Sequence, residues 1–161
     1  MYNEHFGLGQ PPFKITVERP GSQPSSVGAT TARAAVAVAS DTVVVYKSPT
    51  CRCCANWVDH MREAGFPVIT HDVADVEPIK RQRGVPSDLT SCHTAVVGQY
   101  ALEGHVPAED VRRLLRERPA VAGLTVPGMP TGSPGMEGLT RDRYDVLSFD
   151  SAGASAIYAS H

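Results

Sequence analysis

Between the β-branched run Thr42-Val43-Val44-Val45-Tyr46 and a stretch of helical periodicity lies Ser48-Pro49-Thr50-Cys51-Arg52-Cys53-Cys54, which holds three of the four cysteines of the chain. Any fold has to present these sulfurs within about one helical turn at a strand-to-helix junction. Thiolate, not thiol, is both metal ligand and nucleophile, and a helix N-terminus favours the anion. Cysteines so close together cannot staple distant segments, so a disulfide framework is excluded and metal or redox chemistry is left. Burial as small hydrophobes is the ordinary reading of a lone cysteine, and it does not extend naturally to three within one turn.

The flanking residues define the elements. The run from Thr42 to Tyr46 reads as a buried strand, ended by Lys47 and Ser48-Pro49. Thr50 is placed to cap a helix whose apolar positions Cys54, Trp57, Val58 and Met61 follow i, i+3, i+4, i+7 spacing, with Gly65 as its stop. A second strand is expected over Phe66-Pro67-Val68-Ile69-Thr70. A short second helix follows from Val76 to Arg83, with Asp75 as cap, Pro78 in the first turn and Gly84 closing it. Ala95-Val96-Val97 and Tyr100-Ala101-Leu102 read as a hairpin turned at Gly98-Gln99. Pro107 opens a third helix, with Val111, Leu114 and Leu115 on one face and a stop at Arg118-Pro119. The segment from Val126 to Glu137 is too rich in Pro and Gly for a helix or central strand and reads as a shaped loop containing Met129 and Met136. A last hairpin, Tyr144–Phe149 with Ala154–Tyr158, is expected to extend the sheet.

The order is strand, helix, strand, helix, hairpin, helix. A parallel pair joined by a crossover helix, then an antiparallel hairpin and a closing helix, is a thioredoxin-like α/β arrangement: a mixed sheet flanked by helices, here with a Met-containing C-terminal loop and an extra β-hairpin. Cys51 and Cys54 supply C-x-x-C spacing at the expected junction. In that arrangement the loop entering the third strand packs against the junction and usually holds a cis-proline. Cys92-His93-Thr94 occupies this place, with His93 at the proline position, which brings Cys92 beside the other three cysteines. Four sulfurs form a soft ligand set suited to Cu(I), zinc or an iron–sulfur cluster. Thioether is a poor zinc ligand and a good Cu(I) ligand, so Met129 and Met136 tilt the choice toward copper, although loop methionines also serve as packing plugs. Among the histidines His93 is the favoured nitrogen donor. His105 is assigned a structural role, and His5, His60, His71 and His161 a place on the surface.

A chain of 161 residues, 42% hydrophobic, supports one domain with a real core plus tails. Residues 1–40 are expected to be an N-terminal extension and flexible linker, and 41–161 the metal-binding domain. The first residues, through about Thr16, are similar to the leading segment of secretion-pathway ATPases of the ExeA kind, but no phosphate-binding loop follows, so no ATPase activity is carried over. Glu18 to Thr31 has linker composition, and Ala32 to Ser40 resembles the tail of a secretory signal, without the basic start and apolar core expected before it. A net charge of −2 gives no long-range attraction to nucleic acid or anionic lipid, and Arg112, Arg113, Arg116 and Arg118 read as a solvated helix face. No run is long and apolar enough to span a bilayer.

Together, C-x-C-C-x-x-W, S-C-H-T-A-V-V-G, E-G-H-V-P and P-G-M-P-x-G-S-P-G-M-E closely resemble the CopG-like family of small bacterial thioredoxin-like metal-binding proteins, long catalogued as a domain of unknown function. The resemblance covers roughly Val43 to Tyr158. It implies a periplasmic protein of copper resistance that binds copper through cysteines, a cysteine-bridged multinuclear cluster among the forms expected. Mapped by motif, those cysteines are Cys51, Cys53, Cys54 and Cys92. Arg52 stands where the family usually has glycine; a cation there lowers neighbouring thiol pKa values and repels an incoming metal. The first expectation is thus a Cu(I)-binding protein that exchanges copper or electrons with a periplasmic copper-handling partner. A thiol–disulfide oxidoreductase using Cys51 and Cys54, and a structural zinc site, are the alternatives.

Overall fold

The computed structural model describes residues 41–161. The expected N-terminal extension, its linker, the signal-like stretch and His5 lie outside the described residues. The elements, in order, are β1 (Val43–Lys47), α1 (Arg52–Glu63), β2 (Val68–Asp72), α2 (Glu77–Gln82), a 3-10 turn (Ser87–Leu89), β3 (Thr94–Val97), β4 (Tyr100–Glu103), α3 (Ala108–Glu117), β5 (Gly123–Thr125), β6 (Asp145–Phe149) and β7 (Ser155–Ser160). The seven strands form one mixed sheet in the order β2-β1-β3-β4-β5-β6-β7. β1 and β2 run parallel, as do β4 and β5, and the remaining neighbours are antiparallel. No helix among the described residues is long and apolar enough to cross a membrane.

Strand alternation divides the core. Trp57, Val58 and Met61 of α1 and Val111 and Leu114 of α3 pack with Val43, Val45, Val97, Tyr100 and Leu102 of the sheet. The helical spacing gives α1 one continuous apolar stripe, and the indole N–H of Trp57 is satisfied by the Val106 carbonyl at 2.9 Å. Ala101, one residue out of phase with Tyr100 and Leu102, joins a smaller cluster with Val85, Leu89 and Phe149. Elements on either side thus leave every residue of β4 buried.

Several expectations need correction. Thr50 does not cap α1. Cys51 is the N-cap residue and makes no side-chain capping bond, while Thr50 Oγ1 lies 3.1 Å from Ser48 Oγ. Ser48 captures the hydroxyl, and the positive helix end is left to the sulfurs. The second strand begins two residues later than expected, because Phe66 N–H bonds the Met61 carbonyl at 3.0 Å and its ring turns into the core. The second helix is Glu77–Gln82 with Val76, not Asp75, as its N-cap residue, although the Asp75 carboxylate accepts the Glu77 N–H at 2.9 Å. β5 was not anticipated. It is three residues long and carries no periodicity, and it inserts a strand between the central hairpin and the terminal one. Gly123 is essential to this insertion: a Cβ there would collide with the Ala101 carbonyl and come within 2.8 Å of the Phe149 ring.

Candidate metal centre

β1 feeds α1 through Ser48–Cys51, so the sulfurs cluster at the C-terminal end of a central strand. Cys53 is their hub, with its Sγ 3.4 Å from Cys51 Sγ, 3.9 Å from Cys92 Sγ and 3.9 Å from Met129 Sδ. One sulfur from each of Cys51, Cys53, Cys54 and Cys92 lies within 4.8 Å of all the others. Cys51 and Cys54 are joined as a disulfide, leaving Cys53 and Cys92 as free thiols. Arg52 is exposed at the first helical position.

Cys92 reaches this cluster through strand register. β3 runs antiparallel to β1 with Thr94 opposite Tyr46, so the residues just before Thr94 lie at the end of the sheet where β1 releases Ser48–Cys51. His93, the expected donor, is fully buried beside Trp57, ring centroids 4.5 Å apart. Its Nδ1 lies 3.4 Å from Cys92 Sγ and its Nε2 has no hydrogen-bond partner.

His105, assigned above to structure, lies closer. Its Nε2 is 3.1 Å from Cys92 Sγ, and its Nδ1 is 3.1 Å from Ser133 Oγ. The Ser133 hydroxyl donates its single hydrogen to the Pro130 carbonyl at 2.7 Å, so toward His105 it acts as acceptor and the proton sits on Nδ1. That tautomer aims the Nε2 lone pair at Cys92, the arrangement by which an outer partner prepares a histidine as a ligand. Cys92, His93 and His105 form a second compact donor group sharing one sulfur with the first. The signal was present in the hairpin. Thr94 pairs with Glu103, and Gly104 N–H bonds the His93 carbonyl at 2.9 Å, so His105 falls beside Cys92 once the register is set.

The Pro- and Gly-rich loop closes over the thiols. Gly135 seats it on α1, since a Cβ there would lie 2.5 Å from the Cys53 carbonyl. Ser91 and Gly128 form an isolated bridge, and Gly128 N–H bonds the Thr90 carbonyl at 3.2 Å. This places Met129, half exposed, against Cys53. Met136 is held by main-chain bonds to Ser133 and Gly132, with no thioether contact to a thiol.

Burial, reinforced by the Cys53 charge, pushes the Cys92 thiol up to about 12. It therefore carries its proton at neutral pH, and a metal ion binding there would displace that proton. Burial lowers His93 well below 6.5 and lowers His105 from 6.5 to about 4, so both imidazoles are neutral donors at pH 7. A pH dependence follows. Above 6.5 His105 is uncharged in folded and unfolded chains alike and its contribution is intact; below 6.5 the unfolded chain takes up a proton that the folded one refuses, until about pH 4. The urea midpoint of reduced, metal-free protein is expected to fall between pH 6.5 and 4, with a shallower fall in His105→Gln. Equal slopes in the two proteins would contradict this.

Of the histidines read as surface residues, His71 and His161 are exposed and His60 is not. His60 is half-buried and its Nε2 accepts the Ala108 N–H at 3.1 Å. His161 stacks on Tyr144 and lies 2.8 Å from an Asp110 carboxylate oxygen, away from the thiols. His71 stacks on Tyr46, with centroids 5.2 Å apart.

Residues 89–136 match the family model described as "Protein of unknown function, DUF411". That span contains Cys92, His93, His105 and both loop methionines. Two solved structures, "Copper resistance protein copG" in forms 1 and 2, are each 41% identical to this chain, with a TM-score of 0.71. The matches cover 74% of this chain and 97% (form 2) or 96% (form 1) of those chains. No curated protein sequence matches the chain.

Proposed function

The chain belongs to the CopG-like family, and from that premise we propose that it binds Cu(I) through a cysteine cluster on a thioredoxin-like domain and serves copper resistance in the periplasm. The observation that carries this reading is the convergence of four cysteine sulfurs within 4.8 Å of one another, with the Met129 thioether 3.9 Å from the central one. A four-sulfur set suits Cu(I), zinc or an iron–sulfur cluster alike, and it is the adjacent thioether, a poor zinc ligand and a good Cu(I) ligand, that tilts the choice to copper. The β2-β1-β3-β4 order with α1 crossing between the parallel pair supports the thioredoxin-like reading.

In this proposal Cys51, Cys53, Cys54 and Cys92 are the thiolate ligands, His93 and His105 nitrogen donors at the Cys92 side, and Met129 the thioether donor of the loop, whereas Met136, held through its main chain away from the thiols, would join only if the loop shifted. The spread of donors suits more than one copper ion. The Cys51–Cys54 disulfide withholds two of the four thiolates, so the full set exists only after reduction. Loading and reduction are thereby linked, and a copper-handling partner would receive either copper or electrons. Anaerobic titration of reduced protein with Cu(I) is expected to give thiolate-to-copper absorption that a quadruple Cys→Ser variant lacks. Stoichiometric zinc uptake without copper uptake would defeat the proposal.

The disulfide itself favours a second reading, a thiol–disulfide oxidoreductase in which Cys51, at the more exposed end of the pair, attacks and Cys54 resolves. Insulin reduction above a Cys51→Ser control would support it. Cys53, Cys92 and His93 have no task in that scheme.

A further inference from the structure

Lys80 of α2 and Glu103 of β4 form an ion pair with side chains only 2% and 0% exposed. Neither touches a sulfur, yet their remaining bonds go to the residues that bracket Cys92 and His93. The Lys80 ammonium donates to Glu103, to the Ser91 carbonyl at 3.0 Å and to Thr94 Oγ1 at 3.3 Å. Glu103 Oε1 also accepts the Ser91 N–H at 2.7 Å, and Oε2 accepts the Thr94 hydroxyl at 2.7 Å. Both main-chain polar groups of Ser91 and the side chain of Thr94 are thus consumed by this one pair.

A buried ion pair is a poor source of stability, because desolvating two charges offsets most of their attraction and apolar replacements of similar volume are often neutral or better. What it supplies is direction, since every bond has a fixed partner. Further contacts agree with that role. Gly104 N–H holds the His93 carbonyl, and Ser91 Oγ donates to the Gly128 carbonyl, fastening the Met129 loop to the same strand end. Gly104 has φ 70, and a Cβ on it would collide with Ser91.

We propose that the Lys80–Glu103 pair is a positioning device for the thiol site: it clamps Ser91 and Thr94, and so fixes Cys92 and His93 between them against Cys53 and His105. The metal side of this inference rests on the copper reading above; the positioning of Cys92 does not. The double variant Lys80→Met/Glu103→Leu removes both charges together and strands neither, so although Ser91 and Thr94 lose their partners it is expected to lose less stability than Lys80→Met alone.

In reduced, metal-free protein, alkylation of Cys92 by iodoacetamide, followed by peptide mass mapping, should accelerate about tenfold as the clamp is lost. In chelator competition, Cu(I) affinity should fall about 10- to 100-fold, the range expected when a ligand loses its outer support. Adding Cys92→Ser should then cost little further, whereas in the parent it costs the full amount. An unchanged Cys92 alkylation rate, or an equal Cys92→Ser penalty in both backgrounds, overturns the proposal. Should the double variant not fold, Thr94→Val severs one arm of the clamp at almost constant shape and must raise the same alkylation rate. Failure of the parent to take up Cu(I) defeats the copper reading instead, and the alkylation result then judges the clamp alone.

Discussion

Cys53→Ser is expected to lower the Cu(I) affinity of the reduced protein by about 100-fold or more, at or beyond the upper end of what loss of an outer partner costs. Cys53 is the one residue whose sulfur approaches Cys51, Cys92 and Met129 together, at 3.4, 3.9 and 3.9 Å. A cluster that also takes the Met129 thioether passes through it. Serine keeps the volume and replaces a soft donor with a hard, weakly binding hydroxyl. A hundredfold loss is about 2.7 kcal/mol, which competition against a chromophoric Cu(I) chelator resolves easily. The substitution leaves the Cys51–Cys54 pair intact, so it also divides the two functional readings: the copper protein loses its affinity, while a dithiol enzyme keeps its turnover. Unaltered Cu(I) affinity in Cys53→Ser would remove the cluster reading.

Lys80→Met alone should destabilise the protein by about 3–5 kcal/mol, the usual consequence of stranding one member of a buried ion pair. Methionine fills much of the space of the lysine stem, so the loss is electrostatic. Glu103 would keep its bonds from Ser91 and Thr94 but lose its countercharge in a site without solvent. Burial already raises the Glu103 carboxyl above 4.5, with Lys80 opposing that rise, and removing Lys80 raises it further. A folded-state value above the unfolded one means that stability is lost as pH rises through it. The deficit of Lys80→Met should therefore be larger at pH 8 than at pH 4.5. Urea unfolding with an unchanged denaturant slope would measure it; a deficit below about 1 kcal/mol at pH 8, or one that grows toward acid, contradicts the assignment.

These two variants touch different layers of the same site, and the layers were not equally legible. Cys53 announced itself by spacing, because three cysteines within one turn have few bland explanations. Lys80 sits in the second helix, in the stretch Glu77-Pro78-Ile79-Lys80-Arg81-Gln82. Nothing local distinguishes it from Arg81. Its burial is decided by the strand positions of Glu103 and Thr94 across the sheet, and a charge is recognisable as buried only when its partner is placed. His105 shows an intermediate case. The hairpin register that brings it to Cys92 was contained in the expected turn at Gly98-Gln99, but the tautomer that aims its Nε2 depends on Ser133, which is 28 residues away.

By itself the sequence determined the strand and helix order apart from β5, the apolar face of α1 and the loop character of the Met-containing segment, while the meeting of Cys92 with the other cysteines followed only once the arrangement of these elements was assumed. These follow from periodicity, from turn chemistry and from the handedness and direction of connections, all of which act over short spans of chain. Only the tertiary structure decided that β5 enters the sheet, that Cys51 rather than Thr50 caps α1, that His105 joins the donor set, and that a buried Lys80–Glu103 pair stands behind Cys92. Each of those depends on which groups compete for one hydrogen bond or one volume after the elements have packed. That competition is settled by distance in space, which no local pattern encodes.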